Sequence, residues 1–231
     1  MRVALYGDSL TAGSPGVPFL RELESMLAGD ELKNYGRRGE TVVSLYHRLR
    51  QEGRRTPADV AVLWVGVNDV LAKVSHSHAA LKLLLRQPPA QGHTQFQDYY
   101  ERTIDLLRSR SRKVVTLSPL LIGEDMKNQW NGELHALAKI VATVSSSFDD
   151  VAYVDLHKVV SSHLEGKPIS EYIPKCISVI AFEVLFLRTP NWIDRIASRR
   201  GLHLTLDGVH LNSVGALVIA RELRQALVNL P

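Results

Sequence analysis

The chain has 231 residues, 45% of them hydrophobic and 23% charged, with a formal net charge of +4. That length suits one well-covered α/β domain over residues 1–231 and is short for two. The basic residues fall in scattered pairs (Arg37-Arg38, Arg54-Arg55, Arg199-Arg200), not in a stripe interleaved with aromatics, which argues against a nucleic-acid partner.

The first element is the apolar run "RVALY" at 2–6, which ends in Gly7-Asp8-Ser9. A serine at the end of a buried strand is either a helix cap or a nucleophile, and its neighbourhood alone does not decide which. No signal peptide precedes the run, so the chain reads as cytoplasmic; a mature exported form would look the same. A helix at 17–29 follows, with Leu20, Leu23 and Met26-Leu27 at the three-to-four spacing of a buried stripe. The second strand, "LKNY" near 32–35, exits into "NYGRRGET", where Gly39 offers a backbone N–H with no side chain in the way. Arg37 and Arg38, flanking that glycine, read as solvated. A helix at 41–53 leads to the third strand, "VAVLWV" at 60–65, and to Asn68 just past its glycine turn. A carboxamide there either donates into a cleft or stabilises the turn.

The loop 69–93 reads as a wall of that cleft, and His76 and His78 in "SHSH" as solvated loop residues. Thr94 and Gln97 form a T-x-x-Q capping box ahead of a helix at 95–110. Strands at 113–118 and 151–156 enclose a helix at 131–148. Residues 171–200 break the repeat as an insertion. Within it, 176–187 is apolar all round and too short to span a bilayer, so no stable membrane insertion is expected. Plain core, a wall of an acyl pocket and a homodimer contact are all open to it, with Phe182, Phe186 and Trp192 as candidate substrate contacts. Cys176 is the one cysteine, which excludes an internal disulfide, and no Cys–His array has zinc spacing, so no metal is expected. Last come "LTLDGVHLNSVG" at 204–215 and a helix at 213–227 capped by Asn212 or Ser213.

Five short, mostly continuous apolar strands alternating with helices predict a parallel five-stranded sheet between two helical layers. This is a three-layer, flavodoxin-like doubly wound α/β/α sandwich, and ligands bind beyond the carboxyl ends of its strands. Ser9, Gly39 and Asn68 all lie just past the ends of the first three. Asp207 and His210, three apart in a turn, form a carboxylate–imidazole pair in which the acid fixes the base. A D-x-x-H pair alone is weak. Together with a nucleophile and two oxyanion donors it completes what acyl transfer needs.

The order and context of "GDSLTAG" (7–13), "NYGRRGET" (34–41), "GVND" (66–69) and "DGVHLN" (207–212) resemble the SGNH hydrolases, or GDSL esterase/lipase family. The second glycine of a G-x-S-x-G elbow is absent, Thr11 standing in its place. The resemblance implies an esterase or lipase with Ser9 as nucleophile, His210 as general base and Asp207 as its orienter. It implies an oxyanion hole from the Ser9 and Gly39 N–H groups and the Asn68 amide, no cofactor, and a small-molecule ester as substrate. Asp8 would fix the loop. The insertion tilts the substrate toward short- to medium-chain acyl or aryl esters over carbohydrate acetyl esters. An acyltransferase on the same site, or a non-catalytic small-molecule-binding module, would share the fold.

Overall fold

In the computed structural model, residues 1–52, 57–173 and 189–230 are described. Five parallel strands, β1 (Arg2–Gly7), β2 (Glu31–Asn34), β3 (Ala58–Trp64), β4 (Ser111–Leu117) and β5 (Val151–Val154), pair in the order β2-β1-β3-β4-β5. β1 meets β2 through Val3–Leu32 and β3 through Leu5–Val62, so it is flanked on both sides, and β3, with the longest apolar run, is the middle strand; both are buried almost throughout. Helices lie on both sides. α3 (Val42–Gln51) packs on α6 (His93–Arg108), and α6 on α7 (Gln129–Ser145). α2 (Phe19–Met26) packs on the C-terminal helix Ser213–Val228. The doubly wound sandwich is the expected architecture, and the ten expected strands and helices are displaced by only a few residues at their ends.

The core is continuous through the sheet. Leu5, Leu63, Leu117, Tyr100 and Ile104 are fully buried, and each large apolar side chain removed from water contributes about 1.5–3 kcal/mol. Trp64 closes β3, its indole N–H donating to the Ser118 carbonyl at 3.1 Å. In this order the chain leaves β1 toward β2 on one side and returns to β3 on the other, which opens a crevice between the β2 and β3 loops, above the end of β1.

Three departures from the sequence reading bear on function. α6 begins at His93, ahead of the supposed Thr94 capping box. Gly92, at φ 96°, starts the helix with no side-chain cap, and the Gln95 carboxamide reaches back to accept from the Gln91 N–H at 2.6 Å. "SHSH" is not a loop: Ser75 caps α5 (His76–Leu84), and although His76 is exposed as expected, His78 is only 3% exposed. An Ser-x-x-His cap and an inward position four residues ahead of Lys82 explain why. The insertion contributes a helix, Pro190–Arg199, begun by a proline at its first position. The run 176–187, with Phe182 and Phe186, lies outside the described residues. α1 (Ser9–Ala12), α4 (Val67–Leu71) and α8 (Leu156–Leu164) are further helices that the apolar pattern did not signal.

Gly7, where β1 ends, sets how close α1 lies to β3. A β-carbon built there would fall 2.1 Å from the Trp64 carbonyl oxygen and 2.3 Å from the Thr11 hydroxyl. One contact is backbone, so the strand would have to move. Gly7→Ala is therefore expected to destabilise the fold by about 1–3 kcal/mol, read as a lowered urea-unfolding midpoint with unchanged slope; a midpoint equal to wild type would show that the strands separate freely.

Candidate active site

Ser9 begins α1, whose cap is Asp8: the Asp8 Oδ1 accepts from the Leu10 N–H at 2.9 Å. The loop after β2 is laid against this turn by three contacts. Arg37 donates its N–H to the Gly7 carbonyl at 2.9 Å, Asn34 donates its amide to Thr11 O at 2.8 Å, and a β-carbon at Gly36 would meet the Ala12 nitrogen at 2.4 Å. At the far end of the loop, the buried Glu40 carboxylate takes two bonds of 2.6 Å from Arg48 on α3. Removing one member of such a pair strands a buried charge and costs about 3–5 kcal/mol. Gly39 sits between these anchors at φ 77°, and a β-carbon there would meet the Gln87 Oε1 at 2.5 Å. Arg37 and Arg38 are exposed, as expected, with Arg37 pairing to Glu52.

His210 and Asp207 come from the turn before the C-terminal helix, whose cap is Asn212, accepting from the Gly215 N–H. That turn is pinned from across the sheet. Glu124, in the loop after β4, accepts from the His203, Leu204 and Thr205 N–H groups and the Thr205 hydroxyl, and Gly123 donates to the Gly208 carbonyl at 2.7 Å. The helix Pro190–Arg199 braces it too, Asp194 accepting from the Ser213 N–H.

The outcome is a linear series. Ser9 Oγ lies 3.0 Å from His210 Nε2, and His210 Nδ1 lies 2.7 Å from Asp207 Oδ2. The second Asp207 oxygen accepts from the Val209 and His210 N–H groups. Burial works to raise the Asp207 pKa; the imidazole beside it and these N–H donors outweigh burial and hold the carboxyl below the usual carboxylate range. A carboxylate bonded to Nδ1 leaves Nε2 as the acceptor for the serine proton.

Asn68 opens toward the same place from α4. Its amide donates to Asp8 Oδ2 at 3.1 Å, while its Oδ1 accepts from the Lys82 ammonium at 2.6 Å; Lys82 also donates to the Gly39 carbonyl. The three strand-end loops are thus tied together. Among the described residues, neither the Ser9 N–H nor the Gly39 N–H donates to a protein acceptor, and Asn68 has a second amide hydrogen to give. Burial raises Asp8 to about 7 against the opposing pull of the Leu10 N–H, Lys82, His210 and Asn68. Lys82 and Glu124 carry no recognisable motif. Asp8 stood out only as part of one, and no local sequence signal marks what the first two hold.

Trp192 is 53% exposed with Arg195 over its ring at 5.2 Å; nothing in its surroundings turns it toward Ser9. Phe182 and Phe186 fall outside the described residues. No helix among the described residues is long and apolar enough to cross a membrane.

A parallel α/β sandwich with a serine, an imidazole and a carboxylate in series at the carboxyl edge of its sheet is of the SGNH hydrolase class. The model of the GDSL-like Lipase/Acylhydrolase family matches residues 5–216, and the chain belongs to that family, an ester hydrolase by class. Comparison with curated protein sequences gives no match. Among solved structures, the acetyl xylan esterase AlAXEase superposes with a TM-score of 0.68 at 22% identity, over 98% of this chain and 100% of that one. Axe2, an acetylxylan esterase from Geobacillus stearothermophilus, gives 0.68 at 14% identity, covering 97% and 92%. LAE5, an alpha/beta hydrolase from the metagenome of Lake Arreo, Spain, gives 0.65 at 19%, covering 100% and 96%. At these identities the likeness establishes the fold.

The raised Asp8 pKa has a consequence for stability. The folded state binds this proton between about pH 4 and 7 where the unfolded chain has released it, so the contribution of Asp8 is fully present below about pH 4 and lost as pH rises through 7. Asp8→Asn removes that titration. The melting temperature of the variant relative to wild type is expected to rise steadily from pH 4 to 7; a flat difference would place the Asp8 pKa near its ordinary value.

Proposed function

We propose that the chain hydrolyses carboxylic esters through a Ser9–His210–Asp207 triad and an acyl-enzyme. The observation that carries this is the unbroken series from the Ser9 hydroxyl through both ring nitrogens of His210 to a buried Asp207. Ser9 Oγ attacks the ester carbonyl carbon as its proton passes to Nε2, and the imidazolium formed is stabilised by Asp207. The new oxyanion takes the free N–H groups of Ser9 and Gly39 and the second amide hydrogen of Asn68. The carbon–oxygen bond to the alcohol then breaks, the alcohol leaving with the proton from Nε2. Water gives a proton to the same nitrogen and attacks the acyl carbon; the acid departs, and the serine recovers its hydrogen. Every proton is returned, and the cycle needs only these side chains.

The substrate reading is a short acyl ester, the acetyl ester first. The acetylxylan esterases among the structural neighbours favour a carbohydrate acetyl ester over the longer acyl chains that the apolar insertion suggested. Catalytic mutants of Axe2 replace a serine, an aspartate and a histidine, the three residue types in series here.

Hydrolysis of p-nitrophenyl esters from acetyl to dodecanoyl, and of acetylated xylo-oligosaccharides, tests both parts. Ser9→Ala is expected to abolish turnover. Asn68→Ala is expected to lower kcat by about 10²–10³, the loss of one oxyanion donor. The rate is expected to be highest with acetyl esters and to fall along the chain-length series. Wild-type turnover in Ser9→Ala would overturn the mechanism; a maximum at long chains would overturn the substrate reading alone.

A further inference from the structure

Lys82 is the unusual residue of this site. It is 4% exposed, it lies on α5, an element outside all four sequence blocks that carry the family resemblance, and its ammonium is spent on two oxyanion elements. An ammonium has three donors and no acceptor, so the Asn68 atom facing it must be Oδ1. The carboxamide is thereby set the one way round that leaves its amide hydrogens for Asp8 and for a substrate oxyanion. With an apolar group in place of the ammonium, the two ends of the carboxamide would no longer be told apart from that side.

The Gly39 side is held by the same stretch of chain. Lys82 holds the Gly39 carbonyl, and Gln87 donates from Nε2 to the Arg38 carbonyl at 3.1 Å. The Arg38 carbonyl and the Gly39 N–H belong to one trans peptide and point opposite ways. A donor on the carbonyl therefore aims the N–H away from Gln87. Gln87 in turn is tied back to α5, its own N–H donating to the Lys82 carbonyl at 2.9 Å.

We propose that Lys82 is a positioning residue for ester hydrolysis: it orients the Asn68 carboxamide and, with Gln87, the Gly39 peptide as oxyanion donors, without touching the substrate. The inference rests on the assignment of Asn68 and Gly39 to the oxyanion hole. Charged and titratable groups face Lys82 from several elements: Asp8 at the start of α1, Asp69 on α4, and His78 on its own helix. His78 in turn feels Asp207. Burial lowers the Lys82 pKa to about 8, with Asp8 and Asp69 opposing the fall. Above that pH the group loses its charge and becomes an amine that also accepts, so Asp8 alone is left to tell the two ends of the carboxamide apart.

The test compares wild type, Ser9→Ala, Lys82→Met and Lys82→Gln on p-nitrophenyl acetate across pH 6 to 10, alongside thermal melts. Methionine keeps roughly the lysine volume without a donor; glutamine keeps a neutral donor. A folded Lys82→Met is expected to lose about 10–100-fold in kcat, a fraction of the loss of a whole donor, with KM nearly unchanged. Wild type is expected to lose kcat above about pH 8, where Lys82 gives up its proton, and Lys82→Met is expected to lack that alkaline fall. Wild-type kcat in folded Lys82→Met, or a low kcat that keeps the same alkaline fall, overturns the proposal. If the methionine variant does not fold, Lys82→Gln decides: a lowered kcat without the alkaline limb supports the proposal, and a wild-type rate and profile overturn it. Full activity in Ser9→Ala is the separate result that removes the underlying site assignment.

Discussion

The Asn68 carboxamide is gripped at both ends by ionisable groups, Lys82 on its oxygen and Asp8 on its nitrogen, and the geometry of the site hangs on that grip. Asp8 is also the cap that starts the Ser9 turn, and Lys82 also holds the Gly39 carbonyl. One chain of hydrogen bonds therefore ties together the ends of β1, β2 and β3. Each of these groups is buried, where an unpaired charge is costly and a paired one is held hard in place. Free rotation of any member would leave a neighbour unsatisfied.

The sheet makes this possible. Strand order β2-β1-β3 sends the chain to opposite sides of β1, so the loops after β2 and β3 part above the end of the strand that carries Ser9. The other half of the site is brought from the far end of the chain and must be pinned independently. Glu124 does this, accepting four bonds from residues 203–205, and Asp207 is set by the turn that follows. A buried carboxylate saturated by backbone N–H groups organises a loop much as a strand pairing would, without needing regular structure. The apolar core carries the desolvation of these groups.

Much was legible because the physical signals were local. Mostly apolar runs of four to six residues marked the strands, and each catalytic candidate sat at a strand end or in a turn before a helix, where its motif could be read in one window. Ser9, Asp207 and His210 are separated by nearly the whole chain, yet each announced itself through its own neighbours. "SHSH" misled for the same reason: polar residues in sequence looked solvated, while one face of α5 turned His78 and Lys82 inward. The Thr94 box failed because a glycine with positive φ started the helix earlier.

The sequence by itself determined the layered parallel fold, the family, and the residue types that meet at the carboxyl edge, because strand and turn chemistry are written in short stretches. Only the tertiary structure decided which way Asn68 faces, that Lys82 and Gln87 hold the oxyanion elements, and that Glu124 pins the histidine loop. Those are contacts between side chains distant in sequence, 14 residues for Lys82 with Asn68 and about 80 for Glu124 with its loop. A lone lysine or glutamate in a polar segment has the same local signature whether it ends in water or in the core. Burial against a specific partner tells them apart, and that is a property of the folded chain.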